Sequence, residues 1–198
     1  MWELRAKHCP LCGAPLVPGD VEGRVRARCQ RCVFVLYAHP GAAAAAVVLD
    51  EQGRVLLVRR AIDPCKGCWA FPAGYQECDE APAAAAVREV REEAGLEVDV
   101  IGLIDLVFVA DDPRRPANVA IFACRVTGGR ACAGDDVCEV AWFELDRLPP
   151  DIGFENNREI LDRLRRQGGY AHPLRSGATG PPDGSGGTGV GRDPSRDT

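Results

Sequence analysis

The chain has 198 residues, 46% of them apolar, enough for one substantial core with a small appendage but hardly for two full-sized domains. Its formal charge of −5 argues against a nucleic-acid-binding role for the whole protein, although residues 1–40 carry six basic against three acidic side chains and residues 41–198 carry 18 against 26. No apolar run of about 18 residues occurs and the opening MWELRAKHCP lacks the apolar stretch of a secretory signal, which predicts a soluble, cytoplasmic protein with no membrane partner.

The first element is a pair of knuckles, Cys9-Pro-Leu-Cys12 and Cys29-Gln-Arg-Cys32, separated by 16 residues. Ten cysteines in a secreted chain would suggest disulfides, but paired CxxC spacing in a chain with this much core and no secretory signal points to reduced thiols and metal. Four thiolates close a tetrahedral shell around Zn²⁺ and leave no position for water, so the site is read as structural, a staple for about 30 residues too few to build a core.

After His39-Pro40 two apolar runs, Ala43 to Leu49 and Val55 to Val58, flank Asp50-Glu51-Gln52-Gly53 and read as a hairpin. Strand-like stretches recur at Trp69 to Phe71, about Val98 to Val109, Val119 to Val126 and Val137 to Phe143, and a terminal helix over about Glu155 to Arg166 places Ile160, Leu161 and Leu164 on one face. Strands with helices between and after them predict an α/β domain with a mixed sheet covered on both faces.

Between the strands, an alanine-rich stretch with good helix propensity carries Glu89, Glu92 and Glu93 at i, i+3 and i+4, which crowds three carboxylates onto one helix face. Like charges there repel, and three hard oxygen donors favour Mg²⁺ or Mn²⁺. Pro82 suits the first turn, Gly95 the left-handed C-terminal cap, and Val90 and Leu96 can turn inward. Gly74 lies just before, where a side chain would obstruct backbone approach to a ligand. Hydrolysis at phosphorus suits this set, because divalent ions bridge carboxylate to phosphate and lower the pKa of a bound water.

Residues Gly74 to Leu96 match the Nudix box, G-x5-E-x7-R-E-U-x-E-E-x-G-U with U aliphatic, at every fixed position. Residues 1 to about 165 resemble the Nudix hydrolases that carry an N-terminal zinc ribbon, also at Leu56 to Arg60, Lys66 to Gly74 and Trp142 to Pro149. The resemblance implies a Nudix-type α/β/α sandwich behind a small ribbon. Residues 1–38 are then the ribbon, 39–167 the hydrolase domain and 168–198 a disordered Gly/Pro-rich tail. It further implies that Glu89, Glu92 and Glu93 bind Mg²⁺ or Mn²⁺, that Glu89 or another glutamate is the base, and that Arg88 orients its neighbouring glutamate. Glu80 supports the loop or the metal shell, and Gly74 marks where backbone approaches metal or phosphate. Glu139 is the best base candidate outside the box.

The NADH pyrophosphatase signature SQPWPFPxS is absent from residues 97–126, so the resemblance points to ADP-ribose, FAD or a nucleotide sugar as the small-molecule nucleotide substrate. NADH and nucleoside triphosphates are the alternatives, and a homodimer stays open. A reading of another class makes the ribbon a nucleic-acid grip, through Arg24, Arg26, Arg28 and Arg31, on a domain that only senses a ligand. Cys65 and Cys68 form a third CxxC without a second pair at comparable spacing and read, with the remaining cysteines, as core or loop residues. Trp69, Phe71, Tyr75, Phe108 and Phe122 are candidates for base stacking, and Arg59, Arg60, Arg114 and Arg115 for phosphate contact, each set against a place in the core or on the solvated surface.

Overall fold

A computed structural model describes residues 5–110, 115–134 and 136–170. The ribbon is a three-stranded antiparallel sheet of β1 (Leu16–Val21), β2 (Arg24–Cys29) and β3 (Val35–Leu36). Its first hairpin turns on Glu22 and Gly23, both at positive φ (54° and 74°), the two-residue conformation whose twist suits a tight hairpin.

The main domain is built on a seven-stranded sheet. Its strands are β4 (Gly41–Leu49), β5 (Val55–Arg60), β6 (Trp69–Ala70), β7 (Ala73–Tyr75), β8 (Leu96–Val109), β9 (Ala117–Gly129) and β10 (Val137–Phe143). The order is β10-β5-β4-β9-β8, with β4 and β9 parallel and the other pairs antiparallel, so the sheet is mixed as expected. The expected hairpin at residues 50–53 closes but does not continue. Leu49 pairs with Val55, after which the strands part, and Trp69 to Tyr75 fills the gap, β6 pairing with β5 and β7 with β4. That splay delivers Gly74 to the middle of the sheet.

Helix α1 (Pro82–Ala94) covers one face and α2 (Glu155–Gln167) the other. Ala44, Ala46 and Val48 of β4 face α1, and Ala45 and Val47 face α2. Ala85 and Ala86 meet Ala44 and Ala46 with no solvent exposure, and these small side chains let α1 lie close on the sheet. Pro82 opens the helix, Gly95 ends it at φ 68°, and Val90 and Leu96 are buried, all as the sequence predicts.

The main domain runs past residue 167. Gly168 caps α2 and Tyr170 packs on the α2-side core, its hydroxyl donating to the carbonyls of Val47 (2.7 Å) and Cys124 (3.0 Å). Residues 168–170, expected to open a disordered tail, are thus part of the packed domain, and the remainder of that segment, 171–198, lies outside the described residues. No helix among the described residues is long and apolar enough to cross a membrane.

Candidate active site

Arg88 organises the glutamates of α1. Its guanidinium donates to Glu80 (2.6 Å), Glu89 (2.6 Å) and Glu92 (2.9 Å), and to the carbonyl of Tyr75 (3.0 Å). Glu80 also accepts from the Glu77 amide at 2.9 Å, so the loop before the helix is tied to the helix through one carboxylate. Hydrogen bonds from Arg88 first, and the Glu77 amide second, hold Glu80 below the usual carboxylate range, while Glu80 and the neighbouring acids raise Arg88 further.

The face read as crowded with carboxylates is graded in depth. Glu92 keeps half of its side-chain surface in solvent, whereas Glu89 and Glu93 are buried. Glu93 accepts a 3.0 Å hydrogen bond from the Ala73 amide, yet desolvation dominates and pushes it up to about 7, helped by the charges of Glu89 and Asp136 and opposed by Arg60. Burial likewise raises Glu89, against the pull of Arg88.

Gly74 sits directly under Glu89. A methyl group there would fall onto the Glu89 carboxylate, so this glycine makes room for a side chain of the protein itself, whereas the sequence suggested room for a ligand. The C-terminal end of α1 is held by the 130–134 loop, whose Cys132 and Gly134 amides donate to the carbonyls of Ala94 (3.0 Å) and Glu93 (3.2 Å). A side chain at Gly134 would strike the Glu92 carbonyl. The Ala73 amide escaped the sequence reading, because a backbone donor leaves no mark in residue type.

Glu139 is not brought to the other glutamates. Val137 faces α1, but the bulge between Val137 and Glu139 reverses the alternation, and Glu139 pairs with Arg59 on the α2 face. There it makes a 3.5 Å ion pair with Arg59, which also reaches Asp151 at 3.7 Å. A strand irregularity thus turns Glu139, the base candidate expected outside the box, away from the α1 face.

Of the aromatic candidates, Trp69, Phe71 and Phe122 belong to the core, while Tyr75 and Phe108 are exposed. Arg59 lies over Trp69, Arg60 over Phe154 and Arg115 over Tyr75, with Arg60 also donating to the Pro64 carbonyl at 2.7 Å. Arg114 lies outside the described residues. Cys124 is a core residue whose thiol burial pushes up to about 12; Cys65 and Cys68 flank the turn closed by the Cys68 amide on the Cys65 carbonyl (3.0 Å).

Four carboxylates gather here, Glu80 just before α1 and Glu89, Glu92 and Glu93 on it; Arg88 bonds the first three, and Glu93 is held by the Ala73 amide. They are the hard oxygen donors at this site that could hold a divalent cation. In the ribbon, Cys9, Cys12, Cys29 and Cys32 have sulfurs within 4.8 Å of one another. Among the described residues no other group of three ligating side chains is that close, so the glutamates stand further apart than the thiols. Sulfur separations of 3.7 Å (Cys9–Cys32, Cys12–Cys32) and 3.5 Å (Cys12–Cys29) far exceed a disulfide bond. They approach the edge of about 3.8 Å that a tetrahedron with Zn–S of about 2.3 Å requires. Amides of Arg31 and Cys32 donate to Cys29 and lower its thiol to about 6, despite partial desolvation.

The NUDIX domain family matches residues 39–164. The chain is 37% identical over 137 residues to a protein of Methanocaldococcus jannaschii named ADP-ribose pyrophosphatase, covering 69% of this chain and 80% of that one. It is 30% identical over 182 residues to the NAD-capped RNA hydrolase NudC of Pseudomonas aeruginosa, covering 89% of this chain and 62% of that one. A NUDIX hydrolase structure from Nitrosomonas europaea superposes with a TM-score of 0.74 at 27% identity, covering 82% of this chain and 92% of its own. A family match over most of the chain, with a relative above one third identical and a structure alike almost end to end, makes the chain a member of the NUDIX hydrolase family.

Proposed function

We propose that the protein is a metal-dependent pyrophosphohydrolase that cleaves the diphosphate of a nucleoside diphosphate linked to another moiety, with ADP-ribose the foremost substrate. The observation that carries this reading is the carboxylate excess on α1, buried at Glu89 and Glu93 and ordered by Arg88. The likeness to a relative named ADP-ribose pyrophosphatase supports the substrate class. FAD and nucleotide sugars share the same scissile bond.

Glu89, Glu92 and Glu93 would hold Mg²⁺ or Mn²⁺, which would neutralise diphosphate charge and lower the pKa of a bound water. Arg88 fixes the rotamers of Glu89 and Glu92 and ties them to Glu80, so the donors are in place before the substrate arrives. The Ala73 amide orients Glu93, and Gly74 leaves the volume that the Glu89 carboxylate needs. Glu89, or another of these glutamates, would take the proton from the attacking water. In the ribbon the four thiolates of Cys9, Cys12, Cys29 and Cys32 would hold Zn²⁺, which would serve as a structural ion.

Turnover of ADP-ribose, FAD, NADH, UDP-glucose and dNTPs with Mg²⁺ or Mn²⁺ tests the reading. Release of AMP from ADP-ribose that stops in Glu92→Gln supports it. Hydrolysis of dNTPs alone, or activity unchanged in Glu92→Gln, would overturn it.

A further inference from the structure

The ribbon carries a feature that pyrophosphate hydrolysis leaves unused. Arg24, Arg26 and Arg28 alternate along β2 and therefore share one face of the ribbon sheet. Their cross-strand partners on β1 are Val21, Gly19 and Val17, all small or apolar. Gly19 leaves room for the Arg28 side chain, which a methyl there would push aside. The pairing of Arg28 with Val35 and Ala27 with Leu36 carries the same face onto Tyr37, and Arg26 lies 4.8 Å over the Tyr37 ring. Tyr37 in turn stacks with His39 at 6.2 Å between centroids and 16° between planes, and both rings are exposed.

No carboxylate among the described residues forms an ion pair with these arginines. Asp20, opposite Val25, points to the other face of the sheet. Arg24 and Arg28 are exposed. Arg26 is half-buried and also donates to the Val21 carbonyl. The face is thus a row of three arginines without a carboxylate partner among the described residues, beside an exposed aromatic pair, in a segment of net charge +3 attached to a remainder of −8.

We propose that this face, Arg24, Arg26, Arg28 and Tyr37 with His39, binds a single-stranded nucleic acid, the arginines contacting successive phosphates and the aromatic pair offering a stacking surface to a base. Single strands fit because their bases expose flat faces that a duplex keeps stacked, and binders of single strands combine a cationic track with aromatic platforms. An acidic peptide would satisfy the arginines and leave the aromatic pair without a role. The net negative charge that argued against nucleic acid applies to the whole chain, whereas the strand alternation concentrates the ribbon's charge on one side.

Fluorescence anisotropy of the full zinc-loaded chain with labelled U12, dT12 and an oligoglutamate of equal length tests the proposal. Three phosphate contacts predict a slope of about −2 in log affinity against log salt, so affinity falls roughly 15-fold between 50 and 200 mM NaCl. Arg24→Ala/Arg28→Ala should flatten the slope to about −0.7. Tyr37→Ala should weaken binding about fivefold or more with the slope kept. Zinc content establishes that each variant retains its ribbon. Preference for U12 identifies RNA as the strand, and equal affinity admits either. No binding at 50 mM NaCl, equal binding of oligoglutamate, or wild-type affinity in either variant overturns the proposal.

Discussion

Glu93→Gln separates the electrostatics of the site from its chemistry. In the folded protein burial raises Glu93 from its ordinary 4.5 to about 7. The folded state therefore binds the proton more tightly than the unfolded chain. Stability from this group is full below about pH 4.5 and is lost as pH rises to about 7. At 1.36 kcal/mol per pKa unit, that interval corresponds to about 3 kcal/mol at pH 8 as an upper figure. Glutamine carries no charge and keeps an oxygen for the Ala73 amide, while its own amide protons cost about 1–2 kcal/mol if left unpaired. Without Mg²⁺ or Mn²⁺ and with zinc retained, Glu93→Gln should thus be more stable than the wild type at pH 8, by about 1–2 kcal/mol, or roughly 2–8 °C in Tm. At pH 4.5 the advantage should vanish or reverse. Adding Mn²⁺ at pH 8 should raise the Tm of the wild type by more than that of the variant, because the variant lacks one of the three carboxylates proposed to hold the ion. Thermal unfolding by circular dichroism at the two pH values reads all of this. A difference between wild type and variant that does not change with pH would refute the buried-charge argument.

Gly74→Ala should lower kcat by about 100-fold or more with a small change in Tm, because the added methyl displaces the Glu89 carboxylate, a side chain, and no backbone. Steady-state kinetics beside a melting curve separates the two effects. Cys9→Ser should reduce bound zinc below one equivalent and destabilise the ribbon while α1 keeps its glutamates, read by metal analysis and turnover together. Tyr170→Phe removes the hydroxyl that donates to Val47 and Cys124 and should cost about 1–2 kcal/mol by urea unfolding. If it costs nothing, these two hydrogen bonds do not anchor residue 170 to the domain.

The sequence by itself determined what depends on neighbours along one element. Helical spacing put Glu89, Glu92 and Glu93 on one side of α1, Pro82 and Gly95 set its ends, and two CxxC pairs announced a four-thiol cluster. Tertiary structure decided what depends on other elements arriving. Periodicity fixes the angle of a side chain about the helix axis, but the depth of Glu93 and the exposure of Glu92 follow from how α1 lies on β4 and β7. Gly74 reads as a ligand contact until Glu89 is seen above it. Tyr170 looks like the start of a tail because its two acceptors lie 46 and 123 residues away. Simple alternation from Val137 would aim Glu139 at α1, and one bulge, set by pairing with β5 and invisible in β10 alone, turns it to Arg59 instead.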